Sequence, residues 1–229
     1  FVSKNEMLVT ERSGRLRRIR DGLLQDQPLT GVPKVHAAGQ GGLMEVLLHP
    51  KFAENRLVYL SYSKPGPRGN TTAVCRGKLG DKGLEQVKEI FEADAWSKSN
   101  AHFGGRMLFD DKGCLVLTVG ERASMERAQN FMDHAGCTIR LNDDGTVPAD
   151  NPFVGRQGYR AELYTVGNRN AQGMVVHPET RQIWQHEHGP MGGDELNLIQ
   201  AGANYGWPLV TYGLNYNGSV ISEKTEMEG

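Results

Sequence analysis

Cysteine is sparse in this chain, with three among 229 residues, Cys75, Cys114 and Cys137. None falls in a CxxC pair or at metal-ligand spacing, and an odd count is no disulfide framework. Cys114 opens the apolar run Cys-Leu-Val-Leu-Thr-Val, where a thiol is expected to be buried rather than reactive. No apolar run approaches the ~18 residues of a membrane span, and no signal-peptide pattern opens the chain. A charge excess is also missing, because 26 basic residues stand against 27 acidic ones. Without a basic stripe, nucleic acid is not an expected partner. Helical periodicity is scarce, and its best candidate, residues 126–135, is short and polar. Punctuation is plentiful instead. Glycine at 29 and proline at 10, against 38% hydrophobic residues, favour many short strands joined by turns.

The densest punctuation falls between Trp184 and Pro208. This stretch packs His186, Glu187, His188, Asp194 and Glu195 among five glycines and closes on Tyr205-Gly-Trp-Pro208. It is expected to make a poor strand and a worse helix. Glycine lets backbone approach a ligand closely, and exposed carbonyls with carboxylates suit a hard cation. The stretch reads as a calcium- and cofactor-binding loop set into a β scaffold, or else as a surface hairpin with a charged tip. His186-x-His188 shares one strand face, but no third ligand follows at a spacing that suits zinc.

Aligning the apolar segments brings out a recurring unit of strand, polar turn and strand. It begins at Leu47, Met107 and Val175, with a weaker copy from Met7 to Ile19. The three full starts are 60 and 68 residues apart, longer than the ~40–50 residues of common propeller repeats but built on the same hairpin logic. Each unit is expected to form one four-stranded blade of a β-propeller, and about four blades fit the length. A β-sandwich is the structural alternative. Lys64-Pro-Gly-Pro-Arg-Gly-Asn70 reads as a hairpin loop and residues 143–152 as turns. The first residues lie inside a strand unit and residues 215–229 resemble the start of another. The whole is therefore expected to be a single propeller domain over 1–229, truncated at both ends.

Three glycine-bearing polar loops precede the hairpins. Gly39-Gln-Gly-Gly-Leu43 presents Gln40. Ser99-Asn-Ala-His-Phe-Gly-Gly-Arg106 presents His102, which is less suited to a packed core than most, although a lone histidine is more often structural than catalytic. Gly120-Glu121 ends the strand pair that His102 precedes, so Glu121 can accept from one ring nitrogen and raise the basicity of the other. A solvated turn with Glu121 paired to Arg122 is the plainer reading. Gly167-Asn-Arg-Asn-Ala-Gln-Gly173 presents Arg169, a planar fork of donors for carboxylate or quinone oxygens, and the Asn170 amide, or else is a turn with a surface arginine.

These motifs, with His49-Pro-Lys-Phe52, Leu60-Ser-Tyr-Ser63, Arg140-Leu-Asn-Asp-Asp-Gly145, Asp150-Asn-Pro-Phe153, Glu187-His-Gly-Pro190, Gly193-Asp-Glu195 and Asn204-Tyr-Gly-Trp-Pro208, occur in family order over nearly the whole chain. Together they resemble the glucose/sorbosone dehydrogenase family, and most closely its bacterial PQQ-dependent aldose sugar dehydrogenases. The resemblance implies a six-bladed propeller binding PQQ over its channel, of which this chain supplies roughly four blades. It implies oxidation of the anomeric carbon of an aldose to the lactone. His102 would be the general base and Glu121 its orienting acid, with hydride passing to the quinone. It further implies that Gln40, Arg169 and Asn170 contact PQQ. The carbonyls of Gly189 and Pro190 would hold the calcium that polarises the quinone, and Glu195 and Tyr205 a second, structural calcium. The protein would supply base, Lewis acid and orientation to a cofactor that is the electron sink. An external electron acceptor and a periplasmic or secreted location follow from the same resemblance.

Two departures from the family pattern stand out. Ala101 replaces a polar residue that touches PQQ in some members, and the Lys and Arg residues that pair with the PQQ carboxylates in the family's later blades fall outside this sequence. Two other functions fit a similar scaffold. One is a non-catalytic binding module, like the related propeller of hedgehog-interacting protein. The other is a calcium-dependent lactonase, which would need side-chain ligands that Gly189-Pro190 does not provide.

Overall fold

A computed structural model describes residues 1–227; the last two residues of the expected final unit, 228 and 229, lie outside the described residues. The described residues form four antiparallel sheets, divided between two compact units.

The first unit comprises Phe1–Glu92 with Trp96–Ala101. Its smaller sheet runs β1 (Glu6–Glu11), β2 (Arg15–Arg20) and β3 (Leu23–Leu24) in order. This is the weak repeat copy, with Met7 opposite Ile19. Its larger sheet is the meander β4 (Leu43–Leu48), β5 (Leu57–Gly66), β6 (Gly69–Leu79) and β7 (Leu84–Glu92). The polar turn of this copy holds one turn of helix, α1 (Phe52–Asn55), which buries Phe52 and ends at Arg56 in the left-handed region. The loop expected over residues 64–70 is much tighter. Strand pairing runs to Gly66 opposite Gly69, so only Pro67 and Arg68 turn the chain. Leu16, Val58, Leu60 and Ala73 form the fully buried centre of this unit. Each large apolar side chain removed from water there is worth about 1.5–3 kcal/mol.

The second unit comprises Ala93–Ala95 and the chain from His102 onward. One sheet is the meander β8 (Met107–Phe109), β9 (Leu115–Val119), β10 (Cys137–Leu141) and β11 (Leu163–Thr165). The other orders β12 (Ala171–Val176), β13 (Ile183–Glu187) and β14 (Glu195–Leu198). All five residues of β9 are buried, as its continuous apolar run requires. Thr118, the polar member of that run, donates from Oγ1 to the Ala171 carbonyl at 2.9 Å and accepts from the Arg106 N–H at 3.0 Å. A hydroxyl buried this deeply costs little once both roles are filled.

Two sequence expectations are corrected here. The helix sought over residues 126–135 is a short 3₁₀ turn, Met125–Gln129. Asp133 redirects the backbone beyond it, because its carboxylate takes Arg127 and the Ala135 N–H. The stretch from Trp184 to Pro208, expected to be neither helix nor strand, contains β13 and β14. It is a hairpin after all, with Glu187 opposite Glu195 and residues 188–194 at its tip. No helix among the described residues is long and apolar enough to cross a membrane.

Candidate functional site

The second unit brings His102, Glu121, Arg169, Asn170, Gly189, Pro190, Glu195 and Tyr205 onto neighbouring loops and strand ends. Gly120, at the end of β9, explains how the first two meet. A Cβ there would lie 2.2 Å from the His102 carbonyl oxygen, so only glycine lets the His102 loop rest on the strand end. His102 then turns through the left-handed region, φ 53°, and Arg122 and Ala123 after Glu121 do the same, at 63° and 56°. Three non-glycine residues in that region within two touching loops are backbone strain gathered in one place.

The result is a dyad. His102 Nδ1 lies 2.7 Å from Glu121 Oε1. Glu121 is 1% exposed, which removes the reading of a solvated turn residue. Its other oxygen accepts from the Ser124 N–H at 2.7 Å. A carboxylate can only accept, so the His102 proton sits on Nδ1 and Nε2 is the basic nitrogen. Arg122, the partner expected for Glu121, feels its charge and lays its guanidinium 3.7 Å over the Phe103 ring. Burial draws its pKa down to about 10.

Arg169 and Asn170 are built into the same frame. The Glu121 N–H donates to the Arg169 carbonyl at 2.9 Å, and Asn170 Oδ1 accepts from the Gly104 N–H at 3.2 Å. Arg169 is 5% exposed, and its Nη1 donates to the carbonyls of His188 and Gly189, both at 2.9 Å. Its buried Nε has no hydrogen-bond partner. An unfilled buried guanidinium donor is the kind of group a carboxylate or quinone oxygen satisfies. PQQ therefore fits the residues here. Of the two carbonyls expected to hold calcium, Gly189 and Pro190, that of Gly189 accepts from Arg169 Nη1. The Gly189 N–H is fixed by Asp194 Oδ1 at 2.8 Å, and a Cβ on Gly189 would strike the Gly192 oxygen at 2.1 Å. Among the described residues no three His, Cys, Asp or Glu side chains gather to hold a metal. That leaves His186 and His188 without a third zinc ligand.

Tyr205 donates from its hydroxyl to the Leu198 carbonyl at 2.6 Å and accepts from the Gln200 N–H at 2.9 Å. Glu195 is joined through Asn197 Nδ2 to Glu187, at 3.1 Å on each side. Gln40 belongs to the first unit, where its N–H donates to the Asn100 carbonyl at 2.8 Å. Gly39 before it packs on Asn100 with φ 55°.

Glu187, named in the sequence only as one charge of the expected cation-binding stretch, has a role that sequence reasoning missed. It is buried, accepts from Asn168 Nδ2 at 3.0 Å and from the Arg169 N–H, and so anchors the run that carries Arg169 and Asn170. A usable signal was present, since period-two alternation from Ile183 puts Ile183, Gln185 and Glu187 on the buried face. Desolvation, reinforced by the charge of Glu195, pushes its pKa from 4.5 up to about 7. Below about 4.5 this carboxyl is protonated in folded and unfolded chains alike, and its contribution to stability is fully present. As pH rises, the unfolded chain ionises while the folded one keeps its proton, so that contribution is lost by about pH 7, at a cost of about 3 kcal/mol. Urea unfolding in a chelator at several pH values checks this. Glu187→Gln is expected to narrow its stability deficit, or turn it to a gain, between about pH 4.5 and 8, and a constant difference from wild type would refute it.

The comparisons agree with this architecture. The glucose/sorbosone dehydrogenase family profile matches residues 1–229. The aldose sugar dehydrogenase YliI of Escherichia coli K12 is 45% identical over 227 residues, covering 97% of this chain and 61% of that protein. The crystal structure of the soluble aldose sugar dehydrogenase of E. coli in its apo form superposes with TM-score 0.96 at 42% identity, over 99% of this chain and 67% of that one. The PQQ-bound aldose sugar dehydrogenase of Streptomyces coelicolor gives TM-score 0.77 at 27% identity, over 94% of this chain and 62% of that one. This chain thus spans about three fifths of the length of the E. coli relative. With motifs, sheets and superpositions in accord, the chain belongs to the glucose/sorbosone dehydrogenase family, and its four sheets are blades of a β-propeller.

Proposed function

We propose that this chain carries the base and part of the cofactor cradle for PQQ-dependent oxidation of an aldose at its anomeric carbon, giving the lactone. The observation that carries the reading is the buried dyad, with His102 Nδ1 held 2.7 Å from a Glu121 carboxylate that is 1% exposed. In this reading His102 Nε2 takes the proton of the anomeric hydroxyl, and Glu121 holds the ring and stabilises the imidazolium that forms. Arg169 and Asn170 orient the cofactor from beside the dyad, and Gln40 is assigned as a further PQQ contact. The carbonyls of Gly189 and Pro190 hold one calcium, and Glu195 with Tyr205 belong to a second. When bound, PQQ supplies an electron-pair acceptor and calcium a Lewis acid. Electrons then leave to an external acceptor, and a periplasmic or secreted location accompanies this chemistry.

The test is titration with PQQ in excess calcium, followed by aldose-dependent dye reduction, in this chain and in one extended to the length of its relatives. Saturable binding and turnover in either form, lost in His102→Ala, are expected. No PQQ binding in either form would sink the dehydrogenase reading and leave a binding module.

A further inference from the structure

We propose that Trp207 is a positioning residue for Arg169, its indole face holding the guanidinium in the orientation that meets an anionic ligand. The Arg169 guanidinium carbon lies 5.3 Å from the Trp207 ring centroid, and each residue is 5% exposed. A buried cation needs compensation. Among the described residues no carboxylate forms an ion pair with the Arg169 side chain. Two main-chain carbonyls meet its Nη1, and the Trp207 ring supplies an aromatic face to it. The negative face of an indole attracts a guanidinium without using any of its N–H groups, so it fixes the fork while leaving donors for a ligand.

The backbone that carries the ring is held on both sides. The Trp207 main-chain N–H donates to the Gly167 carbonyl at 2.9 Å, and its carbonyl accepts from Gln129 Nε2 at 2.7 Å, while the buried indole N–H makes no hydrogen bond among the described residues. One residue earlier, the Gly206 N–H is taken by Asn204 Oδ1 at 3.0 Å. The loop bearing the ring is thus hydrogen-bonded to Gly167, on the run that bears Arg169. Platform and cation share one local frame.

The proposal rests on the reading of Arg169 as a PQQ contact, and two readouts separate its failure from the failure of that reading. The first needs no cofactor. In the cofactor-free protein the Arg169 Nε–H resonance, identified by its loss in Arg169→Lys, is expected to be ring-current shifted. Trp207→Leu should move it toward the value of an unstacked arginine, and Trp207→Phe should keep much of the shift. The second is PQQ affinity by absorbance titration. Trp207→Leu is expected to weaken it about tenfold and Trp207→Phe less than about threefold, the range of a desolvated cation–π contact. A resonance unmoved in Trp207→Leu, or Phe and Leu variants that behave alike in both readouts, overturns the proposal. So does unchanged affinity in Trp207→Leu where wild type binds PQQ. If the resonance moves as expected but wild type binds no PQQ even at full family length, Trp207 still positions Arg169 and the dehydrogenase reading is what fails.

Discussion

On the proposed reading, aldose oxidation is expected to fall about 10²–10⁴-fold in kcat when His102 is replaced by Ala, with PQQ affinity within a few fold of wild type. The loss is set by the chemistry assigned to Nε2. Without it, the proton of the anomeric hydroxyl has only water to go to, and a positioned base is worth that range. Affinity should hold because Arg169 and Asn170 take their positions from Glu121, Gly104, His188 and Gly189, through bonds to which the imidazole contributes nothing. Steady-state dye reduction at saturating cofactor, beside an absorbance titration of PQQ, gives both numbers. Equal loss in kcat and in cofactor binding would move His102 out of the base role and into the cradle.

Glu121→Gln is expected to cost about as much, roughly 10²–10⁴-fold in kcat, although only an oxygen becomes an amide nitrogen. The carboxylate has two engagements, one with His102 Nδ1 and one with the Ser124 N–H. An amide can keep one as acceptor. With its oxygen on Ser124, it turns N–H toward the imidazole, reverses the tautomer and blocks Nε2 as a base. With its oxygen on His102, it leaves Ser124 facing an N–H at a position 1% exposed. Glu121→Asp, which keeps the charge on a shorter arm, should recover part of the rate. Measuring kcat for the three proteins decides the matter. A Gln variant within about threefold of wild type would show that orientation by this carboxylate is dispensable.

The hairpin units and the dyad were legible in the sequence because each depends on local pattern. The apolar–turn–apolar segments starting at Met7, Leu47, Met107 and Val175 became paired strands, since their alternation and turns already agree with β geometry. The strands that follow each hairpin were harder. In β7, Leu84–Glu92, only Leu84 and Phe91 are buried, so little apolar periodicity marks it, and backbone bonds to β6 hold it. In β10 the buried Arg140 reads as a surface residue until its pairing with Asp110 and Asp150, both at 2.7 Å, is seen. At the site, His102 and Glu121 were found because a glycine loop and a strand end flank one short hairpin. The buried, anchoring role of Glu187 went unread because its alternating strand lies inside a run dominated by Gly and Pro. The stack of Trp207 on Arg169 joins loops far apart in sequence, and no local pattern announces such a contact.

The three cysteines carry a practical consequence. Cys75, Cys114 and Cys137 are all free and buried, and burial raises each thiol, that of Cys75 to about 12. Thiolate is the form that reacts, so these three thiols are expected to react little with maleimides and other thiol reagents in the folded chain. One cysteine introduced at an exposed position such as Val154 would then be the sole addressable handle. A dye, a spin label or an electrode tether could be attached there in a single known orientation, with no native residue first removed.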